Sequence, residues 1–164
     1  MGVIMPDYAD LAEVFKIGTV EYPNILAQDL AVNQSALSET FATHAERFAW
    51  YATAYELAMA YEAGLKEETA RTYARVDHQV RTAARDAGVK LTEKMVENSV
   101  ITHALYLEVQ EEYLSAKAHT GLLKVARDAM IHRRDMLIQM GANYRAEGAA
   151  DISLREQQYR QNNR

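Results

Sequence analysis

The side chains with the clearest chemical potential are basic residues that recur at helical spacing in the middle of the chain. Five of them follow one another at intervals of three or four: Arg71, Arg75, His78, Arg81 and Arg85. At about 100° per residue they share an arc of roughly 120° on a helix, so they line one face. A row of cations about 5–6 Å apart can follow a phosphate backbone and release its counterions. The spacing therefore predicts contact with the backbone of a nucleic acid.

A second basic row occurs nearer the end of the chain. Between 113 and 145 there are six basic residues and two acidic ones. Five of the basic residues share an arc of about 100° on a helix: Lys117, Lys124, Arg127, Arg134 and Arg145. Eight residues of the two rows are therefore candidate DNA-binding residues: Arg71, Arg75, Arg81, Arg85, Lys117, Lys124, Arg127 and Arg134.

An alternative interpretation leaves nucleic acid out. Residues 1–65 carry two basic and nine acidic side chains, whereas residues 66–94 carry seven basic and five acidic ones. The basic rows could therefore pair with acidic residues of the N-terminal third, within or between subunits, because charged helix faces are usually solvated or paired. The protein would then be a helical structural or adaptor protein that oligomerises and binds protein partners.

The residues that catalysis would need are missing from the sequence. It contains no nucleotide-binding glycine motif, no HExxH motif and no GxSxG nucleophile motif. The absence of cysteine excludes disulfides, thiolate metal ligands and a thiol nucleophile. None of the five histidines has a glutamate three residues before it, as a di-iron helical bundle requires. We therefore predict no enzymatic activity, no cofactor and no metal.

Three further features have ordinary interpretations. The acidic cluster of Glu108, Glu111 and Glu112 is typical of a solvated helix face. His44 lies on an apolar stripe, where a histidine is more often a satisfied core or interface residue than a ligand. The aromatic stretch over residues 48–61 favours packing in a core or a subunit interface over stacking on bases.

The elements that must position the basic rows are long helices. Both prolines lie within the first 23 residues, and the remaining chain is rich in strong helix formers. Apolar residues at spacings of three, four and seven predict helices over about 29–87 and 103–147, with a short helix over about 92–100. The predicted fold class is all-α, a long helical hairpin with a short intervening helix.

Small and hydroxyl side chains predict where these helices end. Gly88 follows the last periodic residue of the first helix, where a left-handed cap is favoured. Thr92 is a suitable N-cap for the short helix, and Thr102 for the last one. Gly64 is a weak point inside the first helix, because glycine costs about 1 kcal/mol relative to alanine there.

The flanking segments are predicted to be less regular. We expect residues 1–28 to form a partly irregular lead-in, with a short helix in DYADLAEVF and an irregular or extended stretch in IGTVEYPNIL. Residues 29–147 form the hairpin domain, and residues 148–164 a polar tail that is a short helix or frayed. No apolar run is long enough for a membrane span and no secretory signal pattern is present, which favours a cytoplasmic protein.

The last long helix carries two apolar lines, which predict that it is covered on more than one side. One line is Leu107, Leu114, Ala118, Gly121, Val125, Ala129, Met136 and Met140. The other recurs at strict sevens: Leu123, Met130, Leu137 and Tyr144. Because a hairpin supplies one covering partner, we predict a homo-oligomeric bundle or ring. Its expected interface residues are Leu123, Met130, Leu137, Met140 and Tyr144.

Several segments follow one another in a distinctive order. An aromatic stretch with Trp50 precedes an arginine-rich helix end, ARTYARVDHQVRTAARDAG, and a capped turn, VKLTEKMVE. A β-branched interruption, SVITHALYLEVQEE, leads to a last helix with RDAMIHRRDMLIQMGANYR. In this order the chain resembles the phage recombination mediators of the UvsY type over about residues 30–147. The most telling segment runs from Ala129 through Arg133 to Ile138.

The resemblance implies a non-enzymatic accessory protein of DNA recombination, and so of phage DNA replication and repair. Members of this family bind single-stranded DNA, contact the phage single-strand-binding protein, help to load a RecA-like recombinase and act as ring-like homo-oligomers. Their basic DNA-binding segment corresponds to Arg71 and Arg75 here, and more loosely to Arg81 and Arg85. Their oligomerisation helix corresponds to residues 122–144. The implied location is the cytoplasm, that of the host cell if the protein is phage-encoded.

Overall fold

The computed structural model describes residues 13–162, and these residues are mostly helical. The helical class predicted from the sequence is therefore confirmed, with the addition of a small sheet. In chain order the elements are β1 (Val14–Ile17), β2 (Val20–Pro23), α1 (Leu26–Leu30), a 3-10 turn (Gln34–Ala36), α2 (Leu37–Asp86), α3 (Glu93–Ile101) and α4 (Ala104–Asn162).

A β-hairpin replaces the irregular lead-in. Strands β1 and β2 pair antiparallel, with Val14 opposite Pro23 and Ile17 opposite Val20. A two-residue turn joins them, and Gly18 adopts a φ of 61°, which glycine tolerates without steric cost. The extended character was predicted, but the pairing was not. We also expected a short helix in DYADLAEVF, residues 7–15. This prediction is wrong for its last two residues, because β1 begins at Val14. Residues 7–12 lie outside the described part of the chain.

The first long helix starts later than predicted. We expected it from residue 29, but α1 ends at Leu30 and α2 begins at Leu37. Asn33 separates α1 from the 3-10 turn that leads into α2. Its backbone is extended, and its side-chain oxygen accepts the Ser35 N–H at 3.1 Å. Asparagine is a favoured N-cap because its short side chain satisfies an unpaired donor. Gly64 does not interrupt α2.

The turn between α2 and α3 follows the predicted chemistry. Gly88 has a φ of 68°, its N–H donates to Arg85 O at 3.0 Å, and the next N–H donates to Ala84 O at 2.8 Å. This pair of bonds is the Schellman motif, which satisfies the last carbonyls of a helix. Thr92 then caps α3 by accepting the Met95 N–H at 3.3 Å. Both predicted helix signals are confirmed.

The predicted cap of the last helix is wrong. Thr102 ends α3, where its hydroxyl donates back to Asn98 O at 2.7 Å. His103 precedes α4 instead, and its Nδ1 accepts the Leu105 N–H at 3.3 Å. At the other end, the expected polar tail continues α4 as far as Asn162. Its Ala, Glu, Gln and Arg content supports helix without any packing requirement.

The chain forms two compact units, each built from parts of both long helices. Among the described residues, the first unit comprises 13–24 and 52–125, and the second comprises 25–51 and 126–162. One core cluster of the first unit consists of Val76, Val96 and Val100, with partly buried hydrophobic residues against it. Buried side chains of the second unit include Tyr51, Met130 and Leu137, together with the polar His44 and Arg133.

Candidate nucleic-acid interface

The first basic row lies on the exposed face of α2 within the first unit. Thr72 and Val76, which alternate with the arginines along the helix, are fully buried and face the unit's interior. The basic side chains lie on a different face because the centres of the two sets are about 140° apart around the helix. All five members are exposed: Arg71, Arg75, His78, Arg81 and Arg85.

Two arginines of this row form ion pairs with nearby carboxylates. Arg71 contacts Glu67 at 2.9 Å and Glu68 at 3.9 Å, one helical turn away. Arg81 contacts Asp77 at 2.9 Å and makes two bonds to Glu93, at 3.0 and 2.6 Å. The hydrogen bonds from Arg81 lower the pKa of Glu93, and those to Glu93 and Asp77 raise the pKa of Arg81. Arg81 therefore links α2 to the first turn of α3.

The other two arginines keep their charge available. Arg75 donates to Thr72 Oγ1 at 3.2 Å, and Arg85 donates to Thr82 Oγ1 at 3.3 Å. Within residues 13–162, neither guanidinium has a carboxylate partner. A hydroxyl can orient a guanidinium but cannot neutralise it, so these arginines can bind an anion without breaking an ion pair.

The second basic row is divided between the units. Lys117 and Lys124 are exposed in the first unit, and no ion pair involves them in the described part of the chain. In the second unit, Arg127 contacts Asp128 at 2.7 Å and Arg134 contacts Asp135 at 2.8 Å. The lysines thus resemble Arg75 in their availability, whereas the two arginines each have an adjacent carboxylate.

These contacts bear on the predicted pairing with the acidic N-terminal third. Where arginines of the two rows form ion pairs among the described residues, their partners are local or lie on α3: Glu67, Glu68, Asp77, Glu93, Asp128 and Asp135. None of these carboxylates belongs to residues 1–65. For the arginines of the first row and for Arg134, the ion pairs among the described residues therefore do not involve the acidic N-terminal third.

The two apolar lines of α4 face different surroundings. Leu123, Met130 and Leu137 are each 0% exposed within a single chain, so they form its interior and leave no surface for a second subunit. Their assignment to a subunit interface is therefore corrected. They are buried because the strict-seven line faces other segments of the same chain.

The other apolar line reaches the surface. Leu114 is 44% exposed and Val125 is 64% exposed, both in the first unit. In the second unit Met136 is 46% exposed and Met140 is half-buried. Tyr144, the last member of the strict-seven line, is also exposed, at 61%. Any partner of α4 would meet these side chains, because Leu123, Met130 and Leu137 are already covered.

The aromatic stretch contains one fully buried ring, that of Tyr51. The Tyr51 hydroxyl donates to Asp29 Oδ2 at 3.0 Å. Burial, followed by this hydrogen bond, raises the pKa of Tyr51. Trp50 lies edge-on to Tyr51, with ring centroids 4.7 Å apart, and is 39% exposed. The preference for packing over base stacking holds for Tyr51.

The acidic cluster of α4 borders a cleft in the first unit. Glu108, Glu111 and Glu112 line it together with Tyr61 and His119, and its volume is about 540 Å³. The Tyr61 hydroxyl donates to Glu112, and this bond is the main cause of the raised pKa of Tyr61. Within residues 13–162, no group of three acidic or histidine side chains is placed to hold a metal ion.

The sequence missed two features of these surfaces. The approach of Glu93 to Arg81 depends on how the α2–α3 turn folds, although the i, i+4 spacing of Asp77 and Arg81 was readable. The burial of Arg133 was also missed, because it shares an arginine doublet with the exposed Arg134.

Comparison with known proteins gives no match: no family model, no curated protein and no solved structure matches this chain. In the described residues, no helix is long and apolar enough to cross a membrane.

Proposed function

We propose that this protein binds single-stranded DNA through its phosphate backbone and acts as a recombination mediator. The observation that carries the proposal is the exposed basic row of α2, in which Arg75 and Arg85 have no carboxylate partner among the described residues. The sequence resemblance to UvsY-type mediators supplies the mediator role. It also supplies the proposed partners, a RecA-like recombinase and a single-strand-binding protein, and the proposed assembly into a homo-oligomer.

The environment of each arginine suggests its share in binding. Arg75 and Arg85 can contact phosphates directly, and the exposed Lys117 and Lys124 of the same unit add positive charge. Arg71 can exchange its exposed carboxylate partners for a phosphate at little cost, because such surface pairs contribute little. Arg81, held by two carboxylates, serves the fold more than the ligand. Backbone contacts of this kind carry no base sequence information.

A salt series tests the DNA-binding step. Fluorescence anisotropy of a labelled oligo-dT strand is measured against protein concentration at several salt concentrations. The slope of log K against log salt reports the phosphates contacted, at about 0.7 per phosphate for single strands. We expect Arg75→Gln plus Arg85→Gln to weaken binding and to reduce the slope by about 1.4.

The control is a second double variant with the same loss of charge outside both rows, Lys94→Gln plus Arg155→Gln. It should bind as the unaltered protein does. The proposal fails if the unaltered protein shows no salt-sensitive binding, or if both double variants lose affinity equally. If the unaltered protein shows no salt-sensitive DNA binding, the proposed mediator role is rejected as well. If DNA binding holds, light scattering tests the oligomer, and a strand-exchange assay with recombinase and single-strand-binding protein tests mediation.

A second candidate is the helical adaptor protein. The exposed apolar line of α4, with Leu114 and Val125 in the first unit, favours it, since a protein partner could cover these apolar side chains. This candidate predicts indifference to DNA and loss of protein–protein association in Leu114→Ser plus Val125→Ser. The oligo-dT assay therefore distinguishes the two functions, because the mediator binds the strand and the adaptor protein does not.

A further inference from the structure

Arg133 is a buried cation in the second unit. It is only 3% exposed. Its Nε donates to Leu30 O at 3.3 Å, its Nη2 to Ala31 O at 3.1 Å, and its Nη1 to His44 Nδ1 at 2.9 Å. All three acceptors are neutral, because a guanidinium can only donate and His44 must therefore present an unprotonated Nδ1.

The charge of Arg133 is not neutralised by a carboxylate within residues 13–162. The acid that acts on it electrostatically is Asp29, but both Asp29 oxygens are used elsewhere. Its Oδ1 contacts Arg47 at 3.3 Å, and its Oδ2 accepts the Tyr51 hydroxyl at 3.0 Å. Burial and the positive charge of Arg47 lower the pKa of Arg133. A guanidinium stays protonated nonetheless, so among the described residues the buried charge has Asp29 as an electrostatic neighbour but no carboxylate bonded to it.

Buried charges in proteins are normally paired, because an isolated ion loses its hydration without compensation. A guanidinium offers five N–H groups, and three of these are used by Leu30, Ala31 and His44. Two N–H groups are left for a further acceptor. The missing partner should therefore be an anion that approaches Arg133 from an open side.

An open side exists. Arg133 lines a cavity of about 490 Å³ that lies wholly within the second unit. Arg47 lines the same cavity, so two guanidiniums from different helices border it. Its polar lining is completed by Gln28, Asn33, Thr40, Thr43 and Glu39. Asn33 uses its oxygen to cap the 3-10 turn, which leaves its amide N–H groups for a ligand. Glu39, which is exposed, is the one carboxylate among these lining residues.

We infer that this cavity binds a small molecule bearing a phosphate group, with Arg133 and Arg47 holding the anion. Two guanidiniums suit a phosphate because its oxygens point in several directions and each guanidinium can make paired bonds to them. Besides the two guanidiniums, the lining supplies neutral amide and hydroxyl groups that can bond the remainder of a phosphate monoester, so a monoester suits the site better than inorganic phosphate. The site is separate from the basic row of α2 and does not depend on the proposed function.

Calorimetric titration of the full chain tests this inference. The probes are inorganic phosphate, ribose 5-phosphate and acetate, each at about pH 8 and constant ionic strength in chloride. We expect ribose 5-phosphate to bind at least as tightly as phosphate, and acetate to bind much more weakly. Arg47→Gln should weaken phosphate binding at least about tenfold, since it removes a charge-assisted hydrogen bond. Arg133→Gln should abolish binding.

Three controls make the outcome decisive. Arg134→Gln alters the neighbouring exposed arginine and should leave binding unchanged. Arg75→Gln plus Arg85→Gln should also leave phosphate binding unchanged, which would show that this site is distinct from the basic row of α2. If Arg133→Gln does not fold, Arg47→Gln and Arg133→Lys still test the site, because lysine keeps the charge without the guanidinium fork. Absence of phosphate binding, equal binding of acetate, or equal loss in Arg134→Gln would each overturn the inference.

Discussion

The arginines of the first unit and Arg133 of the second carry the same side chain in opposite surroundings. Arg71 and Arg81 are 70% and 44% exposed at their side chains and contact carboxylates that water also reaches. Arg133 is 3% exposed and contacts two carbonyls and an imidazole. An exposed ion pair in high dielectric contributes little to stability, whereas a buried hydrogen-bonded charge is costly to disturb.

This difference separates two roles. The exposed row can lose a member with little effect on folding, and the charges of Arg75 and Arg85 remain available to bind a partner. Arg133 instead fixes the chain after α1, because Leu30 and Ala31 supply their carbonyl oxygens to it. We therefore expect substitutions in the row to change DNA binding with little effect on stability, and substitutions at Arg133 to change stability as well as phosphate binding.

The largest expected effect is that of Arg133→Met. The substitution removes three hydrogen bonds and leaves the carbonyls of Leu30 and Ala31 without their partner. Since hydrogen bonds to charged groups contribute about 1.5–3 kcal/mol each and some relaxation will occur, we expect the free energy of unfolding to fall by about 3 kcal/mol. Urea unfolding in phosphate-free buffer measures it.

The matched control is Arg134→Met, one residue along the same helix. Arg134 is exposed, and its ion-pair partner among the described residues is the adjacent Asp135. Its loss should change the free energy of unfolding by no more than about 0.5 kcal/mol. If both substitutions lowered the free energy of unfolding equally, burial would not distinguish the contributions of these two arginines to stability.

A smaller effect is expected from pH, through His44. Its pKa lies below the usual value of 6.5, first because of burial and then because of Arg133 and Arg134. The folded state therefore binds fewer protons here than the unfolded state, and stability rises with pH across this window. Stability should be fully present above pH 6.5 and should fall as the pH drops below it. Asp29 and Arg47 are the other charged groups around Arg133.

Unfolding curves between about pH 8 and pH 5 check this direction. His119 of the first unit also has a lowered pKa, from burial and then Lys16, so it adds a slope of the same sign. His44→Gln should reduce the pH dependence without removing it, and His119→Gln should remove part of the remainder. An unchanged slope in both variants would mean that neither imidazole is held neutral by the fold.

Much of the fold could be read from the sequence, because helix signals are local. The absence of proline after Pro23 and the caps at Gly88 and Thr92 lie within a few residues of what they control. The hairpin of β1 and β2 was missed because two four-residue strands carry little periodic signal.

The chemistry of the basic residues was harder to predict, because it depends on burial and on distant partners. Arg133 and Arg134 are adjacent in sequence, yet the 100° step between them takes one into the interior and leaves the other in solvent. The two apolar lines of α4 posed the same problem. The sequence showed both of them, but only the packed structure shows that Leu123, Met130 and Leu137 are interior.

The smallest expected effect on stability is that of the ion pair between Arg81 and Glu93. Its dependence on salt concentration distinguishes it from the effect of Arg133. Both side chains are exposed, although their bond of 2.6 Å is short. At about 1 M salt the screening length falls to roughly 3 Å, so the attraction between exposed charges should largely disappear. We expect Arg81→Gln and Glu93→Gln each to lower the melting temperature slightly at low salt, to show coupling in the double variant, and to have little effect at high salt. The destabilisation by Arg133→Met should persist at high salt, because the lost contacts are hydrogen bonds to neutral acceptors rather than an exposed ion pair. If the Arg81 effect also persisted in 1 M salt, this exposed pair would be behaving as a buried one, and exposure would not explain the contrast between the two sets of arginines.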